Sequence, residues 1–332
     1  MRKLIGVVVV LMALYGGYWA VASKAALRGA EAAVAQAQTE GWGNAKAVSL
    51  AGFPARFDLT FTEPMLRRGD GTLEWRAPLM QLFMLSYQPN KVIAWFPQDQ
   101  VLRAGGQDFA VTVADMRASA AVSASPDLPL SDVTLVVKAP RIAAPGGAAL
   151  AARELRAALR AGATAGQYDL GFELLDLDLP QALLAAQTGA ALSGGAVPPT
   201  RAERLHLDAA LSYDRAFDRH AGQTPPRLLA ADLHDFEIRW GAMVLAASGA
   251  VEVTATGQPE GRIMLRATEW RQMLALAVEA GLIAPKLAPT LTAMAGQMAA
   301  ASGGEALELP LIFAAGRMSL GPLPLGAAPY LQ

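Results

Sequence analysis

An uncharged apolar run near the N-terminus is the feature that most limits how this chain can fold. Arg2 and Lys3 precede the run, which extends from Leu4 to Ala22, and Lys24 and Arg28 follow it. A helix rises 1.5 Å per residue, so the run would be roughly 28 Å long, close to the hydrocarbon thickness of a bilayer. The sequence therefore predicts a transmembrane anchor at the start of the chain.

The same run also has features of a cleaved signal peptide, and this interpretation stays open as the alternative. Ala20, Val21 and Ala22 fit the small-x-small pattern of a cleavage site. The run is longer than the about 7–15 apolar residues of an ordinary signal peptide. Aromatic residues near its end are typical of a membrane interface. A retained anchor is therefore the first interpretation, and release into the periplasm after cleavage near Ala22 is the second.

The charges around the run give the expected orientation. Basic residues flank both ends, so the positive-inside bias is slight. The few residues before the run are too short to be the functional part, and short basic N-termini usually stay in the cytoplasm. We therefore expect a single-pass inner-membrane protein with a cytoplasmic N-terminus and a periplasmic C-terminal body.

Composition narrows the classes of protein that this chain can belong to. Lys and Arg total 28 against 29 for Asp and Glu, so no basic surface for nucleic acid is expected. The chain has no cysteine, which excludes disulfides, thiolate metal sites and cysteine catalysis. About 310 residues follow the apolar run, enough for one large or two ordinary domains with a sizeable core.

After Gly43, apolar and polar residues alternate in a pattern typical of β-strands with one apolar face. The first such strand carries Phe57, Leu59 and Phe61 and stops at Pro64, and the next carries Trp75 and stops at Pro78. Similar alternation recurs at 109–113, 133–137, 155–159, 205–213, 236–240 and 307–311. Long helical crossovers are few, which favours antiparallel over parallel pairing. We predict a mainly β (β-rich α+β) fold, with an N-terminal transmembrane helix, curled antiparallel sheets and a few covering helices.

The chain divides into four predicted parts. They are a transmembrane anchor or signal peptide at 1–22, a soluble helix and linker at 23–43, a first antiparallel β region at 44–195, and a second β region at 196–332. Two helical patterns lie near 270–302 in the last part, and Pro180 could begin another helix through Leu192.

The polar residues form no catalytic or metal-binding motif. His206 and His234 could meet across neighbouring strands, but the chain has no His-Glu-x-x-His pair, and Ser248 is not in a Gly-x-Ser-x-Gly turn. Asp176 and Asp178 share a strand face without any calcium-binding loop. We therefore expect no catalytic residue, no metal site and no cofactor, and we expect that the protein is not an enzyme.

The apolar strand faces are the remaining candidate for function. The predicted helices are too few to cover about a dozen strands, because each strand presents an apolar face that must be buried. Phe57, Leu59, Phe61 and Trp75 are therefore candidate residues of a groove for lipid acyl chains. Two sheets packed as a closed sandwich would explain the same alternation.

Four segments of the chain resemble a bacterial family known as domain of unknown function 2125. They are Gly-Phe-Pro-Ala-Arg-Phe-Asp-Leu-Thr at 52–60, Trp-Arg-Ala-Pro at 75–78, Ser-Tyr-Gln-Pro-Asn-Lys-Val-Ile-Ala at 86–94 and Leu-Gly-Pro-Leu-Pro-Leu-Gly at 320–326. The resemblance implies an exported or inner-membrane protein and supplies no catalytic residues.

The layout of the chain is also similar to the N-terminal part of AsmA-like envelope proteins. Those proteins have an N-terminal membrane helix and strands around a Gly-Phe-Pro turn. This likeness implies a curled β-groove connected with lipid traffic or outer-membrane assembly, although this chain is too short to bridge a periplasm alone.

Together these observations predict a membrane-tethered, non-enzymatic protein of the periplasm or envelope that binds lipid in an apolar β-groove. Its expected partners are the bilayer, a phospholipid ligand and other envelope proteins, and not nucleic acid. A scaffold or adaptor with a closed β-sandwich core is the alternative, and an exported hydrolase comes third.

Overall fold

The computed structural model begins with one long helix, α1 (Arg2–Thr39). The structure describes residues 2–180, 199–279, 283–284, 286, 288–301, 304 and 306–331. α1 is rich in alanine, contains no proline, and ends where Gly41 takes a left-handed φ of 77°. The segment Ile5–Thr39 is long and apolar enough to cross a membrane. The predicted membrane helix and the predicted soluble helix after it are therefore one continuous element.

The first half of the sheet consists of fifteen strands, β1 to β15. They are β1 (Gly43–Asn44), β2 (Ala47–Ala51), β3 (Arg56–Thr62), β4 (Met65–Arg67), β5 (Leu73–Arg76), β6 (Leu79–Leu85), β7 (Gln88–Phe96), β8 (Asp99–Ala104), β9 (Gln107–Thr112), β10 (Asp115–Val122), β11 (Leu130–Lys138), β12 (Arg141–Ala143), β13 (Ala149–Ala151), β14 (Glu154–Ala161) and β15 (Gln167–Asp178).

These strands join in pairs across a bend that runs through the sheet. β3 leads into β4, β5 into β6, β7 into β8, β9 into β10, and β11 into β12 after a break of two residues each time. Backbone hydrogen bonds continue through the bend, as between Glu63 N and Pro78 O at 2.9 Å. Glu63, Ala139 and Asp176 take positive φ values at this line, which turns the chain without ending its pairing. The result is one meander of long strands folded into two arms.

The second half of the sheet continues the same meander. Its strands are β16 (Arg201–Tyr213), β17 (Leu228–Trp240), β18 (Met243–Val253), β19 (Pro259–Thr268), β20 (Ala306–Ala314), β21 (Arg317–Leu320) and β22 (Leu323–Ala327). Each is antiparallel to the strand before it, from the β15–β16 pair to the β21–β22 pair. Within the described residues the sheet is open, with β1 and β2 at one edge and β22 at the other.

Two further helices pack at the C-terminal end of the sheet. They are α2 (Trp270–Glu279) and α3 (Ala288–Ala301), which contact each other, β18 and β20. Trp270 and Ala299 are almost completely buried between these helices and the sheet. The mainly β antiparallel fold, the N-terminal apolar helix and the two helices near 270–302 are therefore confirmed. The predicted helix from Pro180 to Leu192 and the boundary at 195 fall largely within 181–198, outside the described residues.

Candidate functional site

The strand registers align apolar side chains into continuous rows across one face of the sheet. One row follows hydrogen-bonded neighbours from β3 to β20 and consists of Leu59, Leu82, Ala94, Ala118, Leu135, Ala157, Phe172, Leu207, Phe236, Ala247, Leu265 and Leu309. Residues one position away face the other side and are largely polar, as in the pairs Arg156–Glu173 and His206–Glu237. We call the first side the apolar face.

The N-terminal helix covers the beginning of the apolar face. α1 packs against β1, β2 and β3, and the ring of Trp19 lies 6.1 Å from that of Phe57. Phe57 and Leu59 are each 4% exposed, and Phe61 is 9% exposed. Three of the four residues predicted for the groove are therefore buried at its covered end. Whether lipid contacts them stays a prediction.

Trp75 reaches the same face from the second arm of the bend. Its ring packs edge-on against Phe96 at 5.8 Å, and Phe96 pairs with Met116 on the apolar face. The indole Nε1 of Trp75 donates a 2.7 Å hydrogen bond to Oε1 of Gln100, whose amide in turn donates to the carbonyl of Pro97. This buried polar bridge fixes the indole at the bend.

The middle of the apolar face is less covered than the end beside α1. Leu135, Phe172, Leu207 and Phe236 are only half-buried, although each lies in the same row as buried Leu59. Among the described helices, α1 packs at one end of the row, while α2 and α3 pack at the other. Within the described residues, a half-buried stretch of apolar surface thus lies between the two ends on which helices pack.

The apolar face ends in a pocket of about 280 Å³ under α2 and α3. Ala267, Leu307 and Leu309 of the sheet form its floor, and Trp270 and Met294 are among the helix residues that close it. Every residue that lines the pocket is apolar. Its size lies near the lower end of the range for small-molecule sites, so it fits part of an apolar chain.

An aromatic cluster of Tyr168, Tyr213 and Phe217 lies at the edge of the apolar face in the middle of the sheet. Tyr168 lies on the same side as Phe172, is 1% exposed, and accepts a 2.9 Å hydrogen bond from the backbone amide of Phe217. The rings of Tyr213 and Phe217 are 4.8 Å apart. Burial raises the pKa of Tyr213 above its usual value, and the neighbouring Tyr168 adds to this. The hydroxyl of Tyr213 therefore stays neutral and adds no charge to the face.

The loop that carries Phe217 is fastened at its base by Asp214. The Oδ1 atom of Asp214 accepts a 2.9 Å hydrogen bond from the backbone amide of Arg227. This bond, assisted by the side chains of Arg227 and Arg215, holds the pKa of Asp214 below its usual value. The ionised carboxylate thus closes the loop from 214 to 227.

The polar residues considered for catalysis or metal binding lie next to side chains with which they can form ion pairs. His206 and His234 are on neighbouring strands, but each approaches a carboxylate, with His206 Nε2 3.6 Å from Asp235 Oδ2. Asp176 and Asp178 pair with Arg153 and Arg201. Within the part of the chain that the structure describes, no group of three His, Asp or Glu side chains could hold a metal ion.

Sequence reasoning did not identify the pocket or the aromatic cluster as site features. A stripe of Leu and Met at helical spacing in α3 was visible, but such a stripe is more often core packing than a binding surface. Tyr168 and Phe217 are far apart along the chain, and no sequence pattern joined them.

The fold and its apolar face define a class of protein. It is an open antiparallel sheet with one long apolar face, carried by an N-terminal helix that is long and apolar enough to span a membrane. The profile of the family described as "Uncharacterized protein conserved in bacteria (DUF2125)" matches residues 19–329, and the chain belongs to this family. The family predicted from the sequence segments is thus confirmed, whereas the likeness to AsmA-like proteins stays a prediction. Comparison with curated proteins and with solved structures finds no match.

Proposed function

We propose that this chain is a membrane-tethered, non-enzymatic protein of the bacterial envelope that holds a lipid acyl chain on its apolar face. The observation that carries the proposal is the unbroken apolar row from Leu59, beside the N-terminal helix, to Leu309 in the pocket. Such a surface is costly to leave in water, and a lipid tail has the chemistry and length to cover it.

The tether places the sheet next to the bilayer. The hydroxyl of Tyr18 donates a 2.8 Å hydrogen bond to the carbonyl of Ser86, and that of Tyr15 donates a 2.9 Å bond to the carbonyl of Pro54. Both tyrosines lie near the end of the apolar run that would cross the membrane. The strand ends that they hold are therefore at the membrane surface, where tyrosine is favoured. With the N-terminus in the cytoplasm, the sheet stands in the periplasm.

The energetics favour an acyl chain as the occupant. Each buried methylene contributes about 0.8 kcal/mol, so burial of about six methylenes in the pocket would contribute about 5 kcal/mol. Because the described residues that line the pocket are all apolar, the occupant needs no specific hydrogen bond to them. A headgroup would remain outside the pocket.

The experiment fills the pocket and measures retained lipid. Ala295 lines the pocket, whereas Ala293 is exposed on the same helix. Full-length protein is extracted in detergent, purified, and analysed for phospholipid by mass spectrometry. We expect Ala295→Phe to retain about tenfold less lipid than wild type, since the ring takes the space of the tail, and Ala293→Phe to retain as much. Equal lipid in the two variants, or none in wild type, would contradict the proposal.

A scaffold for envelope proteins is the second candidate, and the open edge of the sheet favours it. β22 pairs only with β21 among the described strands, and Leu325 on it is exposed. An unpaired edge can add a strand from a partner protein. A photoreactive residue at position 325 should then give a discrete protein adduct in cells. Absence of any adduct there, together with lipid retention, would favour the lipid function alone.

A further inference from the structure

The polar side of the sheet carries a cleft close to the N-terminal helix. This cleft of about 570 Å³ lies between β3, β6, β7 and β10, on the side opposite the apolar face. Phe83, Ile93 and Trp95 form its apolar walls. Phe83 and Ile93 lie side by side on this face, because they are paired neighbours in the sheet. The cleft therefore combines apolar walls with a strand surface that is otherwise polar.

Three cations border this cleft, and none of the described residues that line it is acidic. They are Arg56, Lys91 and Arg117. Arg56 also pairs with Asp58 at 2.8 Å, and Arg117 pairs with Asp115 at 3.1 Å. Lys91 makes no ion pair with any residue that the structure describes. Both arginines thus have a carboxylate partner, whereas the lysine adds a positive charge without a counterion among the described residues.

The cleft lies where the sheet is joined to the membrane helix. Trp19 Nε1 donates a 3.1 Å hydrogen bond to the backbone carbonyl of Arg56, and Tyr18 bonds the turn that precedes Gln88 at the cleft margin. Phe53 and Tyr87, at the two adjacent strand ends, are 62% and 67% exposed. Exposed aromatic rings beside the end of a membrane-spanning segment are typical of the lipid interface.

We propose that this cleft binds the phosphate headgroup of an anionic phospholipid in the surrounding bilayer. Lys91 contacts the phosphate oxygens, since an ammonium group forms charge-assisted hydrogen bonds to phosphate, and Arg117 on the neighbouring strand adds positive charge to the cleft. The glycerol part of the lipid lies on Ile93 and Trp95. The site is on the opposite side of the sheet from the apolar face, so it is independent of the acyl-chain function proposed above.

The test measures headgroup preference with the full-length protein in detergent. Equal amounts of phosphatidylglycerol and phosphatidylcholine with the same acyl chains are added, and bound lipid is counted by native mass spectrometry. We expect wild type to retain phosphatidylglycerol at least about fivefold over phosphatidylcholine. The double variant Lys91→Gln/Arg117→Gln should lose this preference, and Lys91→Arg should keep it.

A matched double variant controls for net charge. Lys286→Gln/Arg160→Gln removes two exposed cations away from the cleft and should leave the preference unchanged. Ala295→Phe, which fills the acyl-chain pocket, should also leave it unchanged. The proposal is overturned if wild type shows no preference, if the control pair abolishes it as fully as the cleft pair, or if Ala295→Phe alone removes it. Loss of bound phosphatidylglycerol in millimolar inorganic phosphate would indicate a small-anion site and would also overturn it.

Discussion

The indole nitrogen of Trp19 donates a hydrogen bond to the backbone carbonyl oxygen of Arg56 across 3.1 Å. The same indole lies 5.1 Å from the ring of Phe53 and 6.1 Å from the ring of Phe57. Trp19 belongs to the apolar run, whereas the other three residues belong to the sheet or the turn before it. The apolar N-terminal helix therefore contacts the first strands of the sheet through Trp19.

Loss of this contact should destabilise the sheet edge. We expect Trp19→Ala to lower the free energy of unfolding by about 2–3 kcal/mol, less than for a fully buried tryptophan because Trp19 is partly exposed. Trp19→Phe keeps an aromatic ring but not the hydrogen bond and should lower it by about 1 kcal/mol. Denaturation of the full-length protein in detergent measures both. Equal losses for the two variants would show that the ring packing contributes little.

The anchor should be retained in the mature protein. Cleavage after Ala22 would remove Trp19 together with Tyr15 and Tyr18, whose hydroxyls bond to Pro54 and Ser86 of the sheet. We therefore expect full-length protein in the membrane pellet, extracted by detergent but not by high salt. Recovery of a soluble product that begins at Ser23 would contradict this prediction.

The C-terminal body should lie on the periplasmic side. A phosphatase that is active only in the periplasm, fused after Gln332, should be active with the full-length chain. The same fusion without residues 2–22 should be inactive, because nothing would direct it across the membrane. If a reporter that works only in the cytoplasm were active at the same position, the orientation would be the opposite of the predicted one.

Local pattern predicted the strands but not the bend that joins them. The alternation of Phe57, Leu59 and Phe61 gave β3, and Pro64 correctly marked its end. Proline and glycine show where regular pairing breaks, but not whether the chain turns back or continues. At Glu63 the chain continues across the bend, since its backbone bonds to the strand beside it. Such hydrogen bonds join residues distant in sequence, so a single sequence does not reveal them.

The candidate site was predictable only in its chemistry. Alternating residues implied one apolar face, and the small number of helices implied that part of it is uncovered. The pocket could not be located, because it requires the register between β19 and β20 and the packing of Trp270 against α3. Burial of Phe57 under Trp19 was equally hidden, since it depends on how the N-terminal helix approaches the sheet.

The stabilisation that Asp214 gives to the loop from 214 to 227 should depend on pH. The backbone amide of Arg227 holds the pKa of this carboxyl below its ordinary value of 3.8. A folded pKa below the unfolded one means that the ionised group stabilises the fold above pH 3.8. This contribution is lost as the pH falls through the folded pKa.

The difference in unfolding temperature between wild type and Asp214→Asn should therefore be full at pH 7 and should shrink as the pH falls from 3.8 through the lower folded pKa. Asp99→Asn, at an exposed position of β8, serves as the control and should show little difference at either pH. A difference for Asp214→Asn that stays constant down to pH 3 would contradict the assignment of the stabilisation to the carboxylate.

A carboxylate placed in the middle of the apolar face should affect the protein differently from one placed at the end covered by α1. Leu59 is 4% exposed under α1, so Leu59→Asp buries a charge among apolar side chains and should lower the free energy of unfolding by about 3–5 kcal/mol. Phe172 lies in the same row but is half-buried, so Phe172→Asp should cost about 1–2 kcal/mol and leave the circular dichroism spectrum unchanged. Retained phospholipid should nevertheless fall in Phe172→Asp, because the lipid tail would then cross a charged surface. Unfolding of both variants would show that the face is closed along its whole length and would end the groove hypothesis.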